Sequence, residues 1–67
     1  MMTITLNGEA RELATVATLS DLLASMNLVG KRVAVERNGE IVPKSLHGET
    51  RLASGDVVEI VTAVGGG

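Results

Sequence analysis

The residues whose types and spacing could do chemistry are the last three, Gly65-Gly66-Gly67. Glycine loses more conformational freedom on ordering than any other residue, so the run predicts a flexible tail projecting from whatever precedes it. At ~3.3–3.6 Å per residue, three glycines reach about 10 Å. Lacking side chains, they could enter a slot too narrow for any other sequence. The carboxylate of Gly67 has no Cβ crowding it. Taken alone, terminal glycines are more often a frayed end than a site. Two features point further: they directly follow a strongly β-forming segment with no Ser-rich or charged linker, and no other reactive group is evident in the chain.

Cysteine is absent, which removes disulfides, thiolate ligands and thiol nucleophiles. The single histidine, His47, is too little for the usual zinc sites, and without Cys, Ser or a second ligand beside it, it is a weak catalytic candidate. It is expected to be exposed in a polar loop. Glu36, Glu40, Glu49 and Asp56 are scattered, and Asp56 reads as closing a turn with Gly55. Lys31-Arg32 and Arg51 read as a solvated rim. Phe, Tyr and Trp are all missing, which removes the stacking platforms used on single-stranded nucleic acid, and a net charge of −2 argues against a phosphate-backbone partner. No apolar run approaches the ~20 residues of a membrane span, and no charged-then-apolar leader opens the chain. The expectation is a cytoplasmic protein that binds neither nucleic acid nor membrane, holds no metal or cofactor, and is a monomer when free.

The elements that must position the tail fit one small domain, 1–64, followed by the tail, 65–67. A chain of 67 residues buries only about 60% of its unfolded surface, so aliphatic packing has to supply the core. Met2, Ile4 and Leu6 alternate with Thr3 and Thr5, the period of a half-buried strand. Asn7-Gly8 then signals a type I′ hairpin turn, with a second strand over Glu9 to Leu13. Thr18 and Asp21 form a capping-box pattern, followed by the stripe Leu19, Leu22, Leu23 and Met26. This predicts a helix of about three turns that stops at Asn27 or Gly30. A third strand covers Val33 to Arg37, turning at Asn38-Gly39. Ile41-Val42 follows, and Pro43 interrupts any ladder there. Lys44 to Thr50 reads as irregular, Arg51-Leu52 as a very short strand, Ser54-Gly55-Asp56 as a turn, and Val57 to Val64 as the last strand.

Segregated strands with one crossing helix predict an α+β domain, a mixed sheet covered on one face by one main helix. A β-grasp arrangement fits, with the first and last strands parallel at the centre; a three-layer or swapped arrangement fits the same periodicity. With Val58 and Ile60 facing the core, Val57, Val61 and Ala63 face outward near the tail. Glu59 on that parity sets this choice over the reverse. Contiguous apolar side chains beside a reactive terminus would mark a partner surface.

The chain resembles the ThiS family of sulfur carriers over nearly its whole length. The resemblance is carried by the N-terminal strand with Asn7-Gly8, Val33-Ala34-Val35-Glu36, Ile41-Val42-Pro43, Leu52-Ala53-Ser54-Gly55-Asp56, Val58-Glu59-Ile60 and the terminal Gly66-Gly67. Gly65 extends the family's diglycine to a triglycine. The resemblance implies a ubiquitin-like β-grasp fold and a co-substrate, not an enzyme. A carboxylate is a poor acyl donor because its leaving group would be oxide. An ATP-using, ThiF-like activating enzyme would adenylate Gly67 and make AMP the leaving group. Sulfide from a donor such as a cysteine desulfurase persulfide would then give a thiocarboxylate, a soft nucleophile suited to a ThiG-like thiazole synthase of thiamine biosynthesis. The small subunit of molybdopterin synthase shares the tail chemistry but usually runs longer, with core aromatics. Carriers for cysteine synthesis or tRNA thiolation also share it. In another class stands a β-grasp interaction module with inert glycines.

Overall fold

Both Asn-Gly pairs form the turns that their positive φ tolerance allows. Asn7 and Gly8 lie at φ 50° and 85°, and Asn38 and Gly39 at 52° and 86°. Each closes a two-residue hairpin loop, with Leu6 opposite Glu9 in one and Arg37 opposite Glu40 in the other. Positive φ at both central residues matches the turn to the twist of the flanking strands. The computed structural model of the protein describes residues 2–14 and 18–62. Within these, the elements are β1 (Met2–Leu6), β2 (Glu9–Leu13), α1 (Leu19–Ser25), β3 (Val33–Arg37), β4 (Glu40–Val42) and β5 (Val57–Thr62), with a 3-10 helix at Lys44–Leu46 between β4 and β5.

The five strands form one sheet in the order β2-β1-β5-β3-β4. β1 and β5 are parallel neighbours at its centre, and all other pairings are antiparallel. Helix α1 lays Leu19, Leu22 and Leu23 on one face, where they join Met2, Ile4, Leu6, Val35, Leu52, Val58 and Ile60 in a single core. The architecture is the mixed, one-helix sheet of the β-grasp reading.

The start of α1 is fully satisfied. Four N–H groups at a helix start lack intrahelical partners. Here Leu19 donates to the Thr50 carbonyl (3.0 Å) and Ser20 to the His47 carbonyl (3.2 Å), while the bond from Leu22 to the Thr18 carbonyl (3.1 Å) is the first intrahelical one. Asp21 N–H donates to Thr18 Oγ1 (3.2 Å), while the Asp21 carboxylate accepts from Thr18 N–H (3.2 Å), the reciprocal capping box.

Three expectations change. The helix has seven residues, about two turns rather than three. Asn27, at φ 59°, provides the stop, the earlier of the two expected: Leu28 N–H reaches back to the Leu23 carbonyl and Asn27 N–H to that of Ala24, the paired bonds of a Schellman stop. The segment Lys44 to Thr50 is ordered, because its 3-10 helix and following turn aim two carbonyls at the start of α1. Arg51 makes an isolated bridge with Thr18 instead of opening a strand, and Leu52 enters the core. The last strand is seen as far as Thr62; its expected end at Ala63 and Val64 lies outside the described residues.

Candidate functional site

The strand that leads to the tail is held along both edges. On one side β3 pairs with β5 from Arg37 opposite Val58 to Val33 opposite Thr62. On the other, β1 pairs only at Thr5 opposite Val57 and Leu6 opposite Val58. Beyond that point the side chain of Asn7 replaces the missing strand. Its Oδ1 accepts from Ile60 N–H at 2.8 Å and its Nδ2 donates to the Ile60 carbonyl at 3.3 Å.

Alternation divides β5 between core and surface. Val58 and Ile60 are buried, while Val57 and Val61 are 45% and 64% exposed on the face away from α1. Register places Ala34 beside Val61, and Glu36 between Glu59 and Ile41. Ile41 is also well exposed. The open face thus carries aliphatic side chains at the tail-ward end of β5 and a directly opposed pair of carboxylates, Glu36 and Glu59. Like charges in that position disfavour the sheet by a few tenths of a kcal/mol, up to about 1. Of the expected site residues, Val57 and Val61 share this face; Ala63, Gly65, Gly66 and Gly67 lie outside the described residues.

The turn before β5 is tied down by Asp56, which does more than close it with Gly55. Asp56 Oδ2 accepts from Ala53 N–H (2.8 Å) and from Arg37 Nε (2.9 Å), and Oδ1 accepts from Asn38 Nδ2 (3.1 Å). Asn38 in turn accepts from Val57 N–H (2.9 Å) and donates its own N–H to the Val57 carbonyl (2.7 Å). Gly55 N–H donates to the Thr3 carbonyl at 2.8 Å. The β3–β4 turn, the β5 start and β1 are therefore one hydrogen-bonded unit. Burial pushes the Asp56 carboxyl up, but the Ala53, Arg37 and Asn38 hydrogen bonds and the Arg37 charge outweigh it, so the net shift is downward.

His47 is buried, not exposed; its Nε2 donates to the Val42 carbonyl at 3.0 Å. That bond joins the 3-10 segment to β4, a structural role. Lys31, Arg32 and Arg51 are exposed, as a solvated rim requires. Among the described residues no three His, Cys, Asp or Glu side chains lie close enough together to hold a metal ion, and no helix is long and apolar enough to cross a membrane. Sequence reasoning assigned Asn7 only a turn and missed its grip on β5. The missed signal is the asparagine amide itself, which offers a donor and an acceptor where glycine would have served the turn alone.

The ThiS family model matches residues 4–67, a span that includes all three terminal glycines. The sulfur carrier protein ThiS of Bacillus subtilis is 54% identical over 50 residues, 75% of this chain and 76% of that protein. A thiazole synthase of Paramagnetospirillum magneticum is 42% identical over 66 residues, 98% of this chain but only 20% of that protein. This chain thus spans about a fifth of the synthase it matches. A crystal structure of the thiamine biosynthesis protein ThiS from Geobacter metallireducens superposes with a TM-score of 0.83 at 29% identity, covering 98% of this chain and 100% of that one. With the family model matching residues 4–67 and this degree of likeness in sequence and structure, the chain belongs to the ThiS family.

Proposed function

We propose that this protein is a sulfur carrier for thiazole formation in thiamine biosynthesis, and that its working group is the Gly67 carboxylate. The observation that carries the reading is that the family match runs through Gly65-Gly66-Gly67, which supports reading the glycines as part of the family pattern. The relatives named as a sulfur carrier and as a thiazole synthase support the pathway.

The chemistry divides between the chain and its partners. A ThiF-like activating enzyme brings ATP, and a carboxylate oxygen of Gly67 attacks the α-phosphorus, releasing pyrophosphate. AMP is then the leaving group. A thiol attacks the inner sulfur of a cysteine desulfurase persulfide, forming a disulfide and releasing sulfide, which attacks the acyl carbon and expels AMP to leave a thiocarboxylate. A ThiG-like synthase takes the sulfur into a carbon–sulfur bond. The chain itself contributes a co-substrate carboxylate on a glycine tail and a surface for partners. Val57, Val61 and Ala63 form that surface in this reading: Val61, with Ala34 beside it, is the exposed aliphatic side chain toward the tail-ward end of β5, Val57 stands at the start of the strand beyond Glu59, and Ala63 is included by its place in the sequence. An uncovered apolar patch beside a reacting end suits docking.

Incubation with ATP, a ThiF-like enzyme and a sulfide source, followed by intact-mass spectrometry, tests the proposal. The expected sequence is an adenylate adduct, then a species in which one sulfur replaces one oxygen. An unchanged mass with an enzyme that activates another ThiS protein under the same conditions would refute it.

A further inference from the structure

A groove opens on the helix-covered side of the molecule, and at Arg32 and Val33 it adjoins a smaller pocket that Ala34, Val61 and Thr62 also line. It has a volume of about 360 Å³. Leu23, Leu28 and Val33 contribute aliphatic lining, and the exposed Val29 stands beside them. Lys31, Arg32 and Lys44 also line it, three of the six cationic side chains in a protein of net charge −2, and no Asp or Glu does. The only ion pair among the described residues is Arg37 with Asp56, so these three cations have no carboxylate partner there. His47, 5% exposed, is part of the wall and is held by its bond to the Val42 carbonyl. The Schellman stop at Asn27, which brings Leu28 back over Leu23, shapes the helix end of the groove.

From this we infer that the groove docks an acidic peptide segment of a protein partner, with an aliphatic side chain seated on Leu23, Leu28 and Val33 and carboxylates meeting Lys31, Arg32 and Lys44. Charge complementarity selects the occupant: cations gathered on one side of an acidic protein attract carboxylates and repel basic segments. The aliphatic lining selects against nucleic acid, which would need aromatic platforms for its bases. The inference stands apart from the sulfur-carrier reading, since it does not involve Gly67.

The test is a titration of the ¹⁵N-labelled full chain at low salt with a capped hexapeptide, EDLLDE, beside its uncharged counterpart QNLLNQ. Shifts are expected for EDLLDE at Leu28 to Val33, Lys44 and His47, weakening with added salt, and not for QNLLNQ. The double variant Lys31→Glu, Lys44→Glu changes only exposed side chains, and its own spectrum reports whether it is folded. It is expected to bind EDLLDE about tenfold more weakly or worse. Absence of shifts, shifts centred on Val57 to Val61, or unchanged binding by the folded double variant would each overturn the inference. So would displacement of the peptide by an equal concentration of inorganic phosphate, which would make the groove a general anion site.

Discussion

The Asn7 side chain holds both backbone polar groups of Ile60, across 53 residues of sequence, where β1 has already turned away from β5. Among the described residues it is the last tie on that edge of the central strand. Asn7→Gly keeps the positive φ of the turn at no steric cost while removing both bonds. The variant is expected to lose about 1–2 kcal/mol in urea unfolding. An unchanged midpoint would show that the turn alone is enough.

Asp56 is expected to matter more. Replacing it with Asn removes the charge that Arg37 faces and part of the acceptor capacity that Ala53, Arg37 and Asn38 use. The expected cost is about 2–3 kcal/mol at neutral pH. Its pH dependence follows from the lowered carboxyl. A depressed folded-state value gives stability that is complete above the ordinary aspartate value of 3.8 and disappears as pH falls through the lowered one. The gap between wild type and variant should therefore narrow on acidification below the ordinary range. A gap that stays constant down to strongly acidic pH would contradict this role.

The open face offers a test with the opposite sign. Glu36 and Glu59 oppose each other directly in the β3–β5 ladder. Glu59→Lys converts a like pair into an opposite one and is expected to stabilise the free domain by about 0.5 kcal/mol. A destabilised variant in thermal melts would mean that the two carboxylates do not sense each other.

Docking is addressed by Val61→Asp. Val61 is 64% exposed and has no part in the core, so the fold is expected to survive, as circular dichroism would report. Binding to a ThiF-like enzyme is expected to weaken by about tenfold or more, in line with loss of a well-packed interface residue. Equal binding by the folded variant would remove this strand face from the partner surface.

Much of the framework is readable from local pattern. Met2, Ile4 and Leu6 alternate, Asn7-Gly8 and Asn38-Gly39 allow little but a hairpin turn, and Thr18 with Asp21 marks the helix start. What stays hidden depends on contacts between distant segments. Nothing in the sequence around His47 says that its carbonyl will meet the first turn of α1, so a polar stretch reads as an irregular loop. Asp56 looks like any turn aspartate until the β3–β4 turn arrives beside it. Both faces of β5 are largely aliphatic, so only Glu59 separates inside from outside.

In the proposed function sulfur is carried at one atom position, the end of residue 67. Fragmentation of the intact, sulfur-loaded protein in the mass spectrometer locates it most directly. The whole mass change is expected in C-terminal fragments that retain Gly67, with none in fragments ending before it. Sulfur found on any internal fragment, or an equally loaded protein lacking Gly67, would contradict it.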